Sequence, residues 1–143
     1  MPNWSRSTWS VCAIVAVAVY FSAALWLKRS YVEPAKPAGK LVVQLERPFF
    51  ELQGSEIAFS VRVPSLEHLS DTSEAPERSP FVLYENTTRL GPPHTEHTEI
   101  ATHGRGRFSH WNNAGFIFSS SDGTNPRTNG RTYWAVIPFP GAE

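Results

Sequence analysis

Between Gly91 and Tyr133 the chain collects the residue types that do chemistry, with four of its five histidines (His94, His97, His103 and His110) and most of its glycines. Two blocks stand out there. Residues 104–111 read Gly-Arg-Gly-Arg-Phe-Ser-His-Trp, and residues 119–131 read Ser-Ser-Ser-Asp-Gly-Thr-Asn-Pro-Arg-Thr-Asn-Gly-Arg. The second block puts Asp122, Asn125, Arg127 and Asn129 on one loop. Carboxylate, amide and guanidinium groups together suit a hydroxyl-rich ligand. Trp111, close by, offers an aromatic face to a sugar ring. The candidate ligand-binding set is therefore Trp111, Asp122, Asn125, Arg127 and Asn129. The competing account is that Asx and Gly residues in a long loop hydrogen-bond their own backbone and build turns.

Metal and catalytic readings draw less support. His94 and His97, with Glu96 and Glu99, bring imidazoles and carboxylates into one short segment. Two histidines three apart after Pro92-Pro93 lack a third ligand at a recognised interval, so solvated loop histidines are expected, with no metal and no other cofactor. Asp122 among serines carries too little charge for a calcium loop. Ser109 and His110 are adjacent and on a strand point to opposite faces, so they do not pair as nucleophile and base. The sequence shows no Gly-x-Ser-x-Gly elbow, no phosphate-binding glycine loop and no isolated pair of acids framed by apolar residues, and it offers no support for an enzyme.

One longer pattern frames both blocks. Ser79-Pro80-Phe81-Val82-Leu83-Tyr84-Glu85-Asn86 is followed by Leu90-Gly91-Pro92, a histidine, the Gly-Arg-Phe-Ser-His-Trp block and a Ser-Asp-x-x-x-Pro-x-Thr-Asn-Gly-Arg block. Together they resemble an uncharacterised bacterial module found alone or beside carbohydrate-processing and methyl- or glycosyl-transfer domains of cell-surface polysaccharide systems. The resemblance covers residues 79–133. It implies a setting and supplies no mechanism.

The elements that must position these residues read as strands. Leu41, Val43 and Leu45 alternate with Val42, Gln44 and Glu46, and Ile57, Phe59, Val61 and Val63 alternate with Ala58, Ser60 and Arg62. Each pattern predicts a strand with one buried face. With Gln53-Gly54-Ser55 as the turn, the two are expected to pair antiparallel. Residues 65–79, polar and aperiodic, are expected to form a mobile loop. Residues 81–85 predict a strand, turned by Asn86-Thr87-Thr88 into a return at Arg89-Leu90. Further strands are expected at 107–111, 115–119 and 132–137, the first two joined by Asn112-Asn113-Ala114. No helix-period segment follows the N-terminal region. The expected fold class is all-β, a small antiparallel β-sandwich or barrel preceded by one transmembrane helix.

That helix is the run of residues 11–27, opening at Val11 and closing at Leu27, with no charge between Arg6 and Lys28. Begun at Trp9 and Ser10, it crosses most of a roughly 30 Å hydrocarbon core. Ser22 and Ala24 would suit signal cleavage, but Leu25, Trp26 and Leu27 continue the apolar run, so an uncleaved anchor is preferred. Trp4, Trp9, Tyr20 and Trp26 flank or punctuate the segment, as indoles and phenols do at the headgroup level. Orientation signals conflict. Lys28, Arg29, Lys36 and Lys40 follow the segment and place the domain in the cytoplasm by the positive-inside rule. The polysaccharide setting places it outside, and a single-pass inner-membrane protein with an extracytoplasmic C-terminal domain is expected.

The resulting division is a tail at 1–10, the anchor at 11–27, a Pro/Lys linker at 28–40 and a β-domain at 41–143. Lys plus Arg number 13 and Asp plus Glu 13, so the net charge is zero and no basic field exists to collect nucleic acid. Cys12, the one cysteine, sits inside the apolar run and has no partner thiol in the chain. The expected partners are the lipid bilayer through residues 11–27, and a surface polysaccharide or a membrane protein.

Overall fold

The computed structural model describes residues 6–31 and 35–141, in two units that lie within Met1–Glu33 and Pro34–Glu143. Trp4, part of the 28–40 linker and the last two residues of the expected 41–143 domain lie outside the described residues. The first unit is one helix, α1 (Arg6–Ser30), which extends the expected 11–27 run at both ends. Within it Trp9–Ser30 contains an 18-residue stretch of mean hydropathy 2.2 that is 0% buried, so the helix is long and apolar enough to cross a membrane. A helix satisfies its own backbone polar groups, which a hydrocarbon environment demands. Lys28 and Arg29 fall in its last turn, where cations complement the carbonyl end of the macrodipole.

Among the described residues of the second unit there are eight strands: β1 (Leu41–Leu45), β2 (Phe50–Glu51), β3 (Phe59–Val61), β4 (Val82–Glu85), β5 (Thr88–Arg89), β6 (Phe108–Trp111), β7 (Gly115–Phe118) and β8 (Tyr133–Ile137). They form two antiparallel four-stranded sheets, ordered β1-β8-β4-β5 and β2-β3-β7-β6. Leu45, Leu83, Tyr133 and Ala135 from the first sheet share one core with Phe59, Val61, Phe108, Phe116 and Phe118 from the second. Period-two alternation explains this. Side chains at i and i+2 face the same way, so Phe116 and Phe118 enter the core while Ile117 points away. The far side of β7 is not left to solvent, because Ile117 packs with Ala58 and with Ile100 of a short helix, α2 (His97–His103).

Three expectations are corrected. Leu41–Leu45 and Phe59–Val61 do not pair with each other. Leu41 faces Ile137 and Leu45 faces Tyr133 across β1 and β8, whereas β3 pairs with β2 and β7. The Gln53-Gly54-Ser55 turn joins β2 to β3, and the chain changes sheets before it, where Phe49 inserts edge-on against Phe118 and Tyr133. Alternation reports which face is buried and says nothing about which strand lies alongside. Residues 65–79 are not a free loop. Leu66, in a 3-10 turn over Pro64–Leu69, is buried, and Asp71 forms a parallel bridge with Trp111 on the edge of β6. The domain is not strictly all-β either, since it also holds α2 and the 3-10 turn. On the linker side Pro37 is buried and the Lys40 amide donates to the Ile137 carbonyl at 2.8 Å, so the second unit begins before Leu41.

The β6–β7 turn depends on one glycine. Gly115 has φ of 78°, and a Cβ there would stand 2.5 Å from the Val61 carbonyl oxygen. Only a residue without a side chain lets β7 run this close to β3.

Candidate functional site

The five residues expected to bind ligand fall in two places. Trp111 ends β6 opposite Gly115 at one end of the β6–β7 hairpin, while the 119–131 loop leaves from Phe118 at the other. Asp122, Asn125, Arg127 and Asn129 therefore do not converge with Trp111. They bond within and around their own loop. Asp122 accepts from both terminal nitrogens of Arg131, at 2.9 and 2.6 Å, and from the Thr124 hydroxyl at 2.7 Å. Those hydrogen bonds hold its carboxyl far below the usual carboxylate range. Asn125 Oδ1 accepts from the Arg127 amide at 2.9 Å. Asn129 accepts from the Arg131 amide at 3.1 Å and donates to the Tyr133 hydroxyl at 2.8 Å. Arg127 pairs with Glu51 and lies over the Phe59 ring.

Beneath the loop sits buried Glu85, which accepts from the Tyr133 hydroxyl at 2.8 Å and from Ser121 Oγ, and pairs with Arg131 at 3.1 Å. Burial, with Glu85 adding to it, holds the Tyr133 hydroxyl well above its ordinary range. Arg47 reaches in from the β1–β2 connection and donates to the carbonyls of Pro126 and Arg131 at 2.9 and 3.0 Å. This pattern is how a long connection satisfies its backbone.

The concave feature lies elsewhere, around Trp111. A cleft of about 540 Å³ opens between the start of α2, the outer edge of β6 and the Asp71 segment. Its floor follows from strand geometry: Ser109 and Trp111, two apart on β6, share a face. The Phe108 and His110 carbonyls accept from the amides of Thr95 and Asp71, at 3.1 and 2.7 Å. These bonds place the chain at Asp71 and at His94–Thr95 on either side of Ser109, and all of them line the cleft. The His97 ring stands edge-on to Trp111 at 6.1 Å and completes an aromatic wall.

Two polar features distinguish this cleft. Asp71, fully buried, accepts from the Ser79 amide at 2.7 Å and from His94 Nδ1 at 2.8 Å. A carboxylate oxygen accepts this bond, so Nδ1 is the donor. His94 holds this position with φ of 53°, a left-handed conformation uncommon for a side-chain-bearing residue. Ser109, 2% exposed, has no hydrogen-bond partner for its hydroxyl. Burial pushes the His97 imidazole below its ordinary range, so the neutral ring predominates near pH 7.

On the opposite face of β6, His110 stacks on Phe116 at 4.0 Å and meets the Ser79 hydroxyl at 3.0 Å. Burial pushes it down to about 4, against the opposing pull of Asp71 and Glu67. Ser109 and His110 thus face opposite ways, and Ser109 makes no hydrogen bond to His94 either. The cleft offers hydroxyl and imidazole groups beside an aromatic wall, which is the chemistry of holding a hydroxylated ligand. Among the described residues no three His, Cys, Asp or Glu side chains gather to hold a metal ion.

The expectation of solvated loop histidines is corrected at His94 and His97, both of which line the cleft. Asp71 carried no signal at all, lying in a polar stretch whose burial is invisible in sequence. Ser109 was missed as well, and the signal that could have found it is its two-residue spacing from Trp111. Comparisons with known protein families, with curated proteins and with solved structures give no match to this chain.

Proposed function

We propose that this chain is a membrane-tethered carbohydrate-binding protein, a β-sandwich domain joined to a single-pass anchor, with its ligand held in the cleft between α2 and β6. The observation that carries the reading is the half-buried Trp111 beside the unpartnered Ser109 hydroxyl in one cleft. A sugar ring presents an apolar face to an indole and hydroxyls to its surroundings, and both kinds of group stand here. At about 540 Å³ the cleft has the size of a small-ligand site. The resemblance of residues 79–133 to a surface-polysaccharide module supplies the setting, an inner-membrane protein whose domain faces away from the cytoplasm. The Lys28-Arg29 pair opposes that orientation.

The test is a titration of the full chain in detergent against a panel of oligosaccharides, followed by calorimetry on the best binder. Trp111→Ala should weaken binding by about five- to 150-fold, the roughly 1–3 kcal/mol expected of a stacking aromatic, while the melting transition stays close to wild type. No saturable binding to any sugar would remove the reading. The second reading is an interaction module that contacts a membrane protein partner, and it is favoured by the self-satisfied 119–131 loop. It predicts recovery of one stoichiometric membrane partner after cross-linking, undiminished by Trp111→Ala. Protease added to intact spheroplasts should digest the domain, and complete protection would reverse the topology.

A further inference from the structure

We infer that the cleft selects a hydroxylated ring bearing a primary ammonium group, a free amino sugar, over neutral or acidic sugars. The inference rests on the carbohydrate reading above and adds a charge to the ligand. Two carboxylates line the cleft, Asp71 in its buried wall and Glu96 at its exposed rim, and no lysine or arginine lines it. Asp71 is engaged with His94 and Ser79. Among the described residues the Glu96 carboxylate makes no ion pair and does not cap the helix it precedes. Burial disfavours the charged form of the His97 imidazole.

A cation is also what an aromatic face attracts, and Trp111 lines the same cleft as Glu96. Ser109, 2% exposed and with an unpartnered hydroxyl, lines the same cleft. An acidic sugar would bring a third negative charge into a space lined by no lysine or arginine. A neutral one would leave the Glu96 carboxylate without a counter-charge.

Calorimetric titration of the full chain in uncharged detergent, near neutral pH and at low salt, tests this with four probes: a glucosamine trimer, its N-acetylated counterpart, a glucose trimer and cadaverine. The glucosamine trimer should bind about tenfold more tightly than either other sugar, and cadaverine should bind weakly because it has no ring for Trp111 and Ser109. Raising salt to about 0.5 M should shrink the preference, since the rim charge is exposed. Glu96→Gln should bring the trimers within roughly threefold of one another, with melting unchanged because Glu96 is exposed.

Equal or tighter binding of the N-acetylated or glucose trimer overturns the ammonium inference and leaves the carbohydrate reading standing. Binding of cadaverine as tight as the glucosamine trimer overturns the ring requirement. A preference that survives both Glu96→Gln and high salt overturns the charge argument. Failure of every sugar to bind overturns the inference and the carbohydrate reading together.

Discussion

Replacing Asn129 with alanine discriminates between a loop that builds itself and a loop that waits for a ligand. In the structure Asn129 makes three side-chain hydrogen bonds, accepting from the Arg131 amide at 3.1 Å and donating to the Tyr133 hydroxyl at 2.8 Å and Thr124 Oγ1 at 3.2 Å. The bond to exposed Thr124 is replaced by water and counts for little. The other two sit where water has less access. Losing the partner of one such polar group costs about 1–3 kcal/mol, and Tyr133 retains its bond to Glu85, so a total of about 2 kcal/mol is expected. Arg127→Ala is the internal contrast. Its ion pair with Glu51 is exposed on both sides, and its removal should cost about 0.5 kcal/mol or less. With a urea slope near 1.5 kcal/mol/M, Asn129→Ala should lower the midpoint by about 1.3 M, and Arg127→Ala by no more than about 0.3 M. The assay is urea denaturation of the full chain in detergent, followed by near-ultraviolet circular dichroism. A wild-type midpoint for Asn129→Ala would refute the assignment of this loop to architecture, and lost ligand retention in that same variant would move the binding site to it.

Three more outcomes follow from the geometry. Buried His110 accepts a proton only near pH 4 when folded and near 6.5 when unfolded, so its contribution is fully present above about 6.5 and is lost as pH falls through 4, by roughly 3 kcal/mol; the loss is read from denaturation midpoints across that range, and an equally steep dependence in His110→Gln would contradict it. Asp71→Ala strips the Ser79 amide and His94 of a fully buried acceptor and should cost about 3 kcal/mol by urea denaturation, with a wild-type midpoint counting against the buried anchor. Gly115→Ala places a methyl 2.5 Å from the Val61 carbonyl in a left-handed backbone and should cost at least about 2 kcal/mol, a prediction sunk by unchanged melting.

What could be read from the sequence divides along a physical line. Interactions that depend on near neighbours in the chain were legible. Gly115–Phe118 and Phe108–Trp111 form a hairpin through Asn112-Asn113-Ala114, as the turn chemistry and spacing require, and Val82–Glu85 turns back at Asn86 in the same way. The apolar run of α1 needed no partner to be recognised, because its length and lack of charge are properties of the segment itself. Partner choice between distant segments was not legible. β1 and β3 carry equivalent alternation, and what separates them is Phe49 crossing into the core between the sheets, an event that alternation cannot encode.

The same limit governed the site. Asn129 followed by Gly130 announced turn chemistry locally, and the structure has its side chain bonded within that turn region. Asp71 reads as one more polar residue in a polar stretch until β6 exposes an edge for it to occupy, and only then do His94 and Ser79 become its partners. Its burial is a consequence of tertiary packing, because a carboxylate enters the interior only where donors already wait for it. The cleft at Trp111 is therefore a product of the edge. β6 ends its sheet, its Phe108 and His110 carbonyls need donors, and the two segments that supply them bring Asp71, His94 and the start of α2 around Ser109. Capping a sheet edge with two irregular segments both protects the strand and leaves a concave gap between them.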